Sequence, residues 1–391
     1  MASFLNTIKS TIVAESARFS YFLTKPFFKK NIWIIGETEY QAQENGYELF
    51  CWLEKNISNI DLFYVIDKAS PAIYKFNERT NWLVLGSFKQ VFYLYHANRI
   101  ISTHGLWMIP NEFGILKKLT RKTLKAKRVM LNHGVGFLKN GKKYYHKSIF
   151  PLNDLIISLS PKHKKIFTNE YGYIDGEVSI TGYPRFDSMT DMSDQSKWNN
   201  MILLMPTFRD NEQGLGDQFK DTELYQRIRD LVNDVQLQGS LKNIDGHLVI
   251  YLHQNIQGYT HYLDKFSSKR VHIVRQGDFS VTELLRMSKL LITDYSSVFF
   301  DFVYMNKPFI SYQFDYNNFI ASRIDRAFID IRTELPGYVV TNHDALIDKI
   351  QFIVNDKFVL SHEHKLRAST YFSYQDKNNC KRVYHAIKSL S

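Results

Sequence analysis

The stretch from Leu290 to Asp315, LLITDYSSVFFDFVYMNKPFISYQFD, constrains the fold more than any other. Its apolar run Leu290-Leu291-Ile292-Thr293 reads as a buried strand. The chain then turns at Asp294-Tyr295-Ser296-Ser297, and Val298 to Met305 reads as a helix. Lys307-Pro308 stops that helix, because a residue before proline is steered away from helical angles, and Phe309 to Tyr312 reads as the next strand. A strand, a polar turn and a helix in that order aim free backbone N–H groups past the strand's C-terminal end. Ser296 and Ser297 add hydroxyl donors there. Phosphate is held in this way, and a plain helix cap in an α/β domain leaves the same pattern.

The same alternation runs through the rest of the chain. Asn31 to Gly36, Asp61 to Asp67, Asn81 to Leu85, Arg99 to Thr103 and Leu155 to Leu159 read as strands, with helices over Tyr47 to Lys55 and Phe88 to His96. A polar stretch, Asp191 to Asn200, has the character of an interdomain linker. A second series follows, with strands at Met201 to Met205, His247 to Leu252 and Val271 to Val274. Strands alternating with helices make a parallel sheet with crossover connections, so the expected class is α/β with two domains. A chain of 391 residues has room for both. Cys51 and Cys380 supply no disulfide framework, and no signal peptide is visible. No apolar run approaches the ~18 residues of a membrane span.

A net charge of +11 calls for an anionic partner: nucleic acid, anionic lipid or a phosphorylated substrate. The charge is concentrated. Between Asn111 and Lys147 eleven Lys and Arg residues face one acidic residue, Glu112, with Phe113, Ile115, Leu116, Leu119 and Leu124 interleaved. Lys117, Lys118, Arg121, Lys122 and Lys125 form the densest part. A basic, partly amphipathic helix of this kind suits an anionic membrane surface, at roughly 1 kcal/mol per basic residue close to it. Residues 1–30 space Leu5, Ile8, Ile12 and Phe19 as an amphipathic helix, fit either for a membrane surface or for packing on the domain.

Chemistry-bearing residues recur at strand ends. His133-Gly134 follows Val129 to Leu131, the Met201 strand ends at Pro206-Thr207-Phe208-Arg209, and the His247 strand ends at His253. Open α/β sheets place their ligands there. Gly182-Tyr183-Pro184-Arg185-Phe186-Asp187 is a rigid turn carrying a cation. A cleft between two such domains suits an anionic leaving group held electrostatically while a His assists attack by a hydroxyl. No carboxylate cluster or Cys/His spacing points to a metal, no Walker or dinucleotide fingerprint appears, and no cofactor is expected.

In these motifs the sequence resembles the CDP-glycerol glycerophosphotransferases of teichoic acid and capsule synthesis. The resemblance spans roughly residues 31 to 355, with Gln41-Ala42-Gln43-Glu44-Asn45-Gly46-Tyr47 and Asp294-Tyr295-Ser296-Ser297 with Phe300-Asp301 beside the strand ends above. It implies a GT-B-like fold: two Rossmann-like domains with a cleft between them. Residues 31–190 would form the acceptor-side domain with the basic membrane-facing segment 111–147, 201–375 the donor-binding domain and 376–391 a closing helix, after the amphipathic segment 1–30. It implies transfer of glycerol phosphate from CDP-glycerol to a hydroxyl of a lipid-linked glycan or poly(glycerol phosphate), with release of CMP. The site would be peripheral on the cytoplasmic face of the cell membrane, with no nucleic acid as partner. By position, His133 would be the catalytic base and His253 a second catalytic or phosphate-contacting His. Arg185, Thr207, Ser296 and Ser297 would contact donor phosphate, with Asp301 on the glycerol or its neighbours. Gly134, Val135, Gly136, Phe137, Pro206, Arg209, Tyr251 and Leu252 would complete the donor side.

The sequence departs from the family pattern in four places. Glu44 stands where Asp is usual, Val135-Gly136 where Thr-Pro is usual, Gln254 where Pro is common and Phe208 where Trp is common. They leave the alditol and the acceptor open, so a CDP-ribitol transferase is an alternative. A GT-B glycosyltransferase using a nucleotide-sugar is another. A non-catalytic basic binding protein would leave the Ser296-Ser297 turn and both histidines unexplained.

Overall fold

The short apolar runs become strands of two parallel sheets. The computed structural model describes residues 2–105, 108, 124–148, 153–323 and 327–390. The chain divides into two compact units, the first comprising Met1–His133, Lys142–Ser188 and Ser373–Ser391 and the second Gly134–Gly141 and Met189–Phe372.

In the first unit β1 (Ile32–Gly36), β2 (Asp61–Ile66), β3 (Trp82–Val84), β4 (Arg99–Ser102), β5 (Lys127–Met130), β6 (Leu155–Ser158) and β7 (Val178–Ile180) pair in the order β3-β2-β1-β4-β5-β6-β7. In the second, β8 (Met201–Leu204), β9 (His247–Tyr251), β10 (Val271–Val274), β11 (Leu290–Thr293), β12 (Phe309–Tyr312) and β13 (Tyr338–Val340) pair in the order β10-β9-β8-β11-β12-β13. Each sheet is doubly wound: the order reverses beside its first strand, between β1 and β4 and between β8 and β11. The loops that leave those two strands diverge, and that is where such sheets hold ligands. β11 lies between β8 and β12 and is buried along its whole length, which is why Leu290 to Thr293 is continuously apolar instead of alternating.

The Asp191 to Asn200 stretch is polar yet packed into the second unit, so it is no loose spacer. It contains a helical turn, Ser193–Gln195, and Trp198 stacks on His272 with ring centres 5.1 Å apart. Asp191 pairs at 2.9 Å with the buried ammonium of Lys307. That ammonium also donates to the carbonyls of Leu285, Arg286 and Ser288 at 2.9, 2.9 and 2.7 Å. Lys307 therefore closes the C-terminal end of the helix Val281–Met287, a role beyond stopping its own helix.

The N-terminal segment is one helix, Ala2–Thr24. It packs through Ala14, Ala17 and Tyr21 in one core cluster with Val91, Leu94 and Tyr95 of the helix Phe88–His96. Its other side exposes Ile12, Phe19 and Leu23. Among the described residues no helix is long and apolar enough to cross a membrane. The C-terminal helix Asn379–Lys388 belongs to the first unit, where the Asp187 carboxylate accepts the N–H groups of Asn379 and Cys380, both at 2.8 Å. This is a charge-complementary cap of a helix start. Gly182, at φ 78°, passes so close beneath that a Cβ would lie 2.0 Å from Asn379 Oδ1.

Under the Pro184–Asp187 turn sits His163, 1% exposed, against Phe167 and Tyr183 at 5.0 and 6.1 Å. Its Nδ1 accepts the Leu159 N–H at 3.2 Å. Burial pushes the imidazole down to about 3 from an ordinary 6.5. The unfolded chain therefore binds the proton first, so this contribution to stability is whole above pH 6.5 and is lost as pH falls toward 3, at about 1.4 kcal/mol per unit. His163→Gln is expected to be less stable than wild type at pH 7.5, with the gap narrowing by about 2 kcal/mol at pH 5. Denaturant melts of both proteins at the two pH values measure it; an unchanged gap would contradict the assignment.

Candidate functional site

In the first unit β1 runs into Glu37, whose side chain is fully buried. Its Oε1 accepts the N–H groups of Glu44 and Tyr47 at 2.7 and 2.8 Å, and Oε2 accepts Gln43 N–H at 2.8 Å. A carboxylate thus caps the start of the helix Asn45–Asn56. Burial pushes the Glu37 carboxyl up, against the opposing pull of these donors. Gly46 has no side chain because a Cβ there would lie 2.8 Å from Glu37 Cγ.

The next residue of the motif, Asn45, is also fully buried. Its Nδ2 donates to the Asn132 carbonyl at 2.7 Å, and its Oδ1 accepts Arg185 N–H at 3.1 Å. Asn132 is in the left-handed region at φ 58° and donates its own Nδ2 to the Ile157 carbonyl at 2.7 Å. Asparagine tolerates that conformation better than most residues, and the sharp turn it makes presents His133 to solvent. Arg185 Nη1 donates to the His133 carbonyl at 2.7 Å. Three of the sequence motifs therefore interlock around His133. Arg185, expected on donor phosphate, here holds the backbone of the His133 turn. The His104 ring, at the end of β4, stacks on His133 with centres 4.1 Å apart and planes 17° apart.

In the second unit the switch point is built on Asp294, which is 2% exposed. Its Oδ1 accepts the N–H groups of Thr207 and Tyr295 at 2.8 and 2.6 Å, and Oδ2 accepts Arg209 Nη1 at 2.7 Å. Arg209 grips Asp315 with Nε and Nη2 at 2.7 and 2.9 Å. Burial works against the guanidinium charge, but Asp294 and Asp315 overcome it and leave the group more basic than usual. Arg209, expected on the donor, is thus engaged by the carboxylates of Asp294 and Asp315.

The hydroxyls around this framework are placed differently. Thr207 Oγ1 is buried and has no hydrogen-bond partner among the described residues. Ser297 heads the helix Val298–Tyr304 but makes no side-chain cap bond, and Ser296 Oγ is 3.4 Å from Val298 N. Gly134 lies beside this turn: a Cβ on it would be 3.8 Å from Ser297 Oγ. Asp301 is half-buried in the first turn of the same helix. His253 follows β9; its Nδ1 accepts Asn255 N–H at 3.2 Å and its ring lies 4.6 Å from that of Phe208. That bond assigns the proton of neutral His253 to Nε2.

Other expected donor residues lie inside the second unit. Val135, Phe137, Tyr251 and Leu252 are buried, with Phe137 against Phe300 and Tyr371 at 5.5 and 4.9 Å. Pro206 is buried too, and Gly136 is half-buried without a side chain. What Val135, Phe137 and Leu252 offer a ligand is backbone. Lys125 is exposed, whereas Lys117, Lys118, Arg121 and Lys122 lie outside the described residues. Among the described residues no group of three or more His, Cys, Asp or Glu side chains is placed to hold a metal. Sequence reasoning assigned no role to Glu37, Asn45 or Asn132. The available signals were a charged residue directly after an apolar strand and an Asn directly before His133-Gly134.

The chain has relatives among known proteins. The chain is 26% identical over 392 aligned positions to the minor teichoic acid biosynthesis protein GgaB of Bacillus subtilis, covering 96% of this chain and 42% of that protein. It is 26% identical over 238 positions to the teichoic acid glycerol-phosphate transferase of Staphylococcus aureus, covering 57% and 54%. The chain thus spans about half the length of these curated relatives. Among solved structures, the wall teichoic acid polymerase TagF superposes with a TM-score of 0.67 at 17% identity, over 98% of this chain and 96% of that one. This likeness carries the fold, two Rossmann-like α/β units of the GT-B-like class. The model of the family CDP-glycerol:poly(glycerophosphate) glycerophosphotransferase matches residues 17–389, and the chain belongs to that family.

Proposed function

We propose that this chain transfers glycerol phosphate from CDP-glycerol to a hydroxyl of a membrane-borne, lipid-linked acceptor, releasing CMP, in synthesis of a teichoic-acid-type polymer. Family membership and the names of the relatives support the donor and the polymer class. The observation that carries the reading is the second unit's switch point. There Asp294 and Arg209 satisfy each other, while the hydroxyls of Thr207 and Ser297 make no side-chain bond that fixes the turn. Hydroxyl donors at such a turn suit a diphosphate, whose oxygens accept hydrogen bonds.

In the reaction the acceptor oxygen attacks the β-phosphorus of the donor. The bond from that phosphorus to the bridging oxygen breaks, and its electron pair leaves with CMP. The proton of the acceptor hydroxyl goes to His133, an exposed imidazole whose ordinary pKa lies near neutrality. His253 presents an Nε2–H, a donor, and so contacts phosphate while His133 serves as the base. Ser296, Ser297 and Thr207 stabilise charge on the diphosphate as CMP departs. The enzyme works peripherally on the cytoplasmic face of the membrane, where the basic run 111–147 meets anionic lipid.

Replacing both Ser296 and Ser297 with Ala is expected to weaken CDP-glycerol binding by roughly 2–4 kcal/mol in a folded protein. Titration calorimetry reads this directly, and unchanged affinity would remove the hydroxyl cradle. The same calorimetry with CDP-ribitol decides the alditol: equal or tighter binding would make ribitol phosphate the transferred group.

His133→Ala should lower kcat on the order of 10²-fold or more with donor affinity nearly intact, and His253→Ala should impair affinity as well as rate. Near-wild-type turnover by His133→Ala on a matched acceptor would rule it out as the base.

Glu substitutions at Lys117, Lys118, Arg121 and Lys122 are expected to abolish co-sedimentation with anionic liposomes yet spare turnover of a short soluble acceptor analogue. Added salt should weaken wild-type binding. Equal binding to neutral and anionic liposomes would exclude the electrostatic docking.

A further inference from the structure

His104 has no part in the transfer as described, yet its ring covers His133. Its Nδ1 is 2.7 Å from the hydroxyl of the fully buried Thr103, a contact that fixes the plane of the ring. In the neutral tautomer with its proton on Nε2, Nδ1 accepts from Thr103. A second proton on Nδ1 would set an N–H against the Thr103 hydroxyl hydrogen and force that hydroxyl to turn. Burial also lowers the basicity of His104.

His133 is placed in the opposite way. It is exposed, and Arg185 and Asn45 hold its backbone. Two imidazoles stacked at 4.1 Å cannot both be cations without strong repulsion. Among the described residues, Arg185 from the Pro184–Asp187 turn is a charged group on the His133 turn, and Glu37 at the end of β1 has its carboxylate held by three amides.

We propose that His104 is a positioning residue for His133: its ring, fixed in plane by the Thr103 hydroxyl, orients the His133 imidazole and stabilises its imidazolium across the stacked face. A neutral aromatic face attracts a cation laid over it. The proton taken from the acceptor thus has one place to go. This inference rests on the reading of His133 as the base.

The test is the titration of the His133 imidazole, followed by NMR in the full chain, beside the pH profile of kcat/KM with CDP-glycerol. His104→Ala is expected to lower the His133 pKa by about half a pH unit. The acid limb of the profile should move by the same amount, with kcat falling and donor KM unchanged. His104→Phe keeps a neutral ring face without the Thr103 hydrogen bond and should restore most of the shift. Thr103→Val keeps the ring and removes the hydroxyl; His104 should then begin to titrate and depress His133 further. An unmoved His133 titration in both the Ala and Val variants would overturn the proposal, as would Phe being no better than Ala. Because the NMR titration needs no turnover, it stands apart from the assignment of the base. A shifted His133 in a chain whose His133→Ala variant still turns over would retain the pairing and reject the base.

Discussion

The second unit's switch point is organised by one buried carboxylate. Asp294 gathers the amide of the next residue, Tyr295, together with the Thr207 amide and the Arg209 guanidinium of one loop, 87 and 85 residues earlier in the chain. A carboxylate almost without solvent needs such compensation, and Arg209, which also pairs with Asp315, supplies the cation. Removing Arg209 would leave buried carboxylates without their cation, a loss of about 3–5 kcal/mol. The turn Asp294-Tyr295-Ser296-Ser297 therefore has its shape set by Asp294, and the two serines inherit their positions from it.

The first unit reaches a similar result with a neutral side chain. Asn45 offers one donor and one acceptor, and it uses them on the two turns that carry His133 and Arg185. The left-handed Asn132 and the Arg185 bond to the His133 carbonyl complete the arrangement. Such a network has little slack, because each buried polar atom left unpaired costs about 1–3 kcal/mol. Such preorganisation suits the role of base proposed for His133, which must meet an oxygen at a defined angle.

Both units thus separate the groups that build a site from those left to act in it. Asp294, Glu37 and Asn45 are buried and Arg209 is half-buried, and each is satisfied by the others or by backbone. His133 is exposed, and Ser296 and Ser297 are half-buried. The proposed chemistry falls on the second set.

Much of the architecture was legible in the sequence. β11 and β12 lie where the apolar runs of Leu290 to Thr293 and Phe309 to Tyr312 placed them, and the alternation of strands with helices already required parallel sheets. Local pattern suffices there because a strand buried on both faces must be apolar throughout. The short edge strand β13 and the amphipathic helix Glu223–Asn233 were not assigned; a three-residue edge strand carries too little pattern, and a largely polar helix shows its period only against the core it covers. The motifs marked the site's residues, but not their division of labour. Arg209 and Arg185 read alike, as cations near a phosphate. Only the tertiary structure gave Arg209 to Asp294 and Asp315, Arg185 to the His133 carbonyl, and the His104 ring to the face of His133. The physical reason is that a polar side chain's role depends on which partners reach it within hydrogen-bonding distance. Those partners come from loops far apart in the chain, brought together when the sheet order reverses.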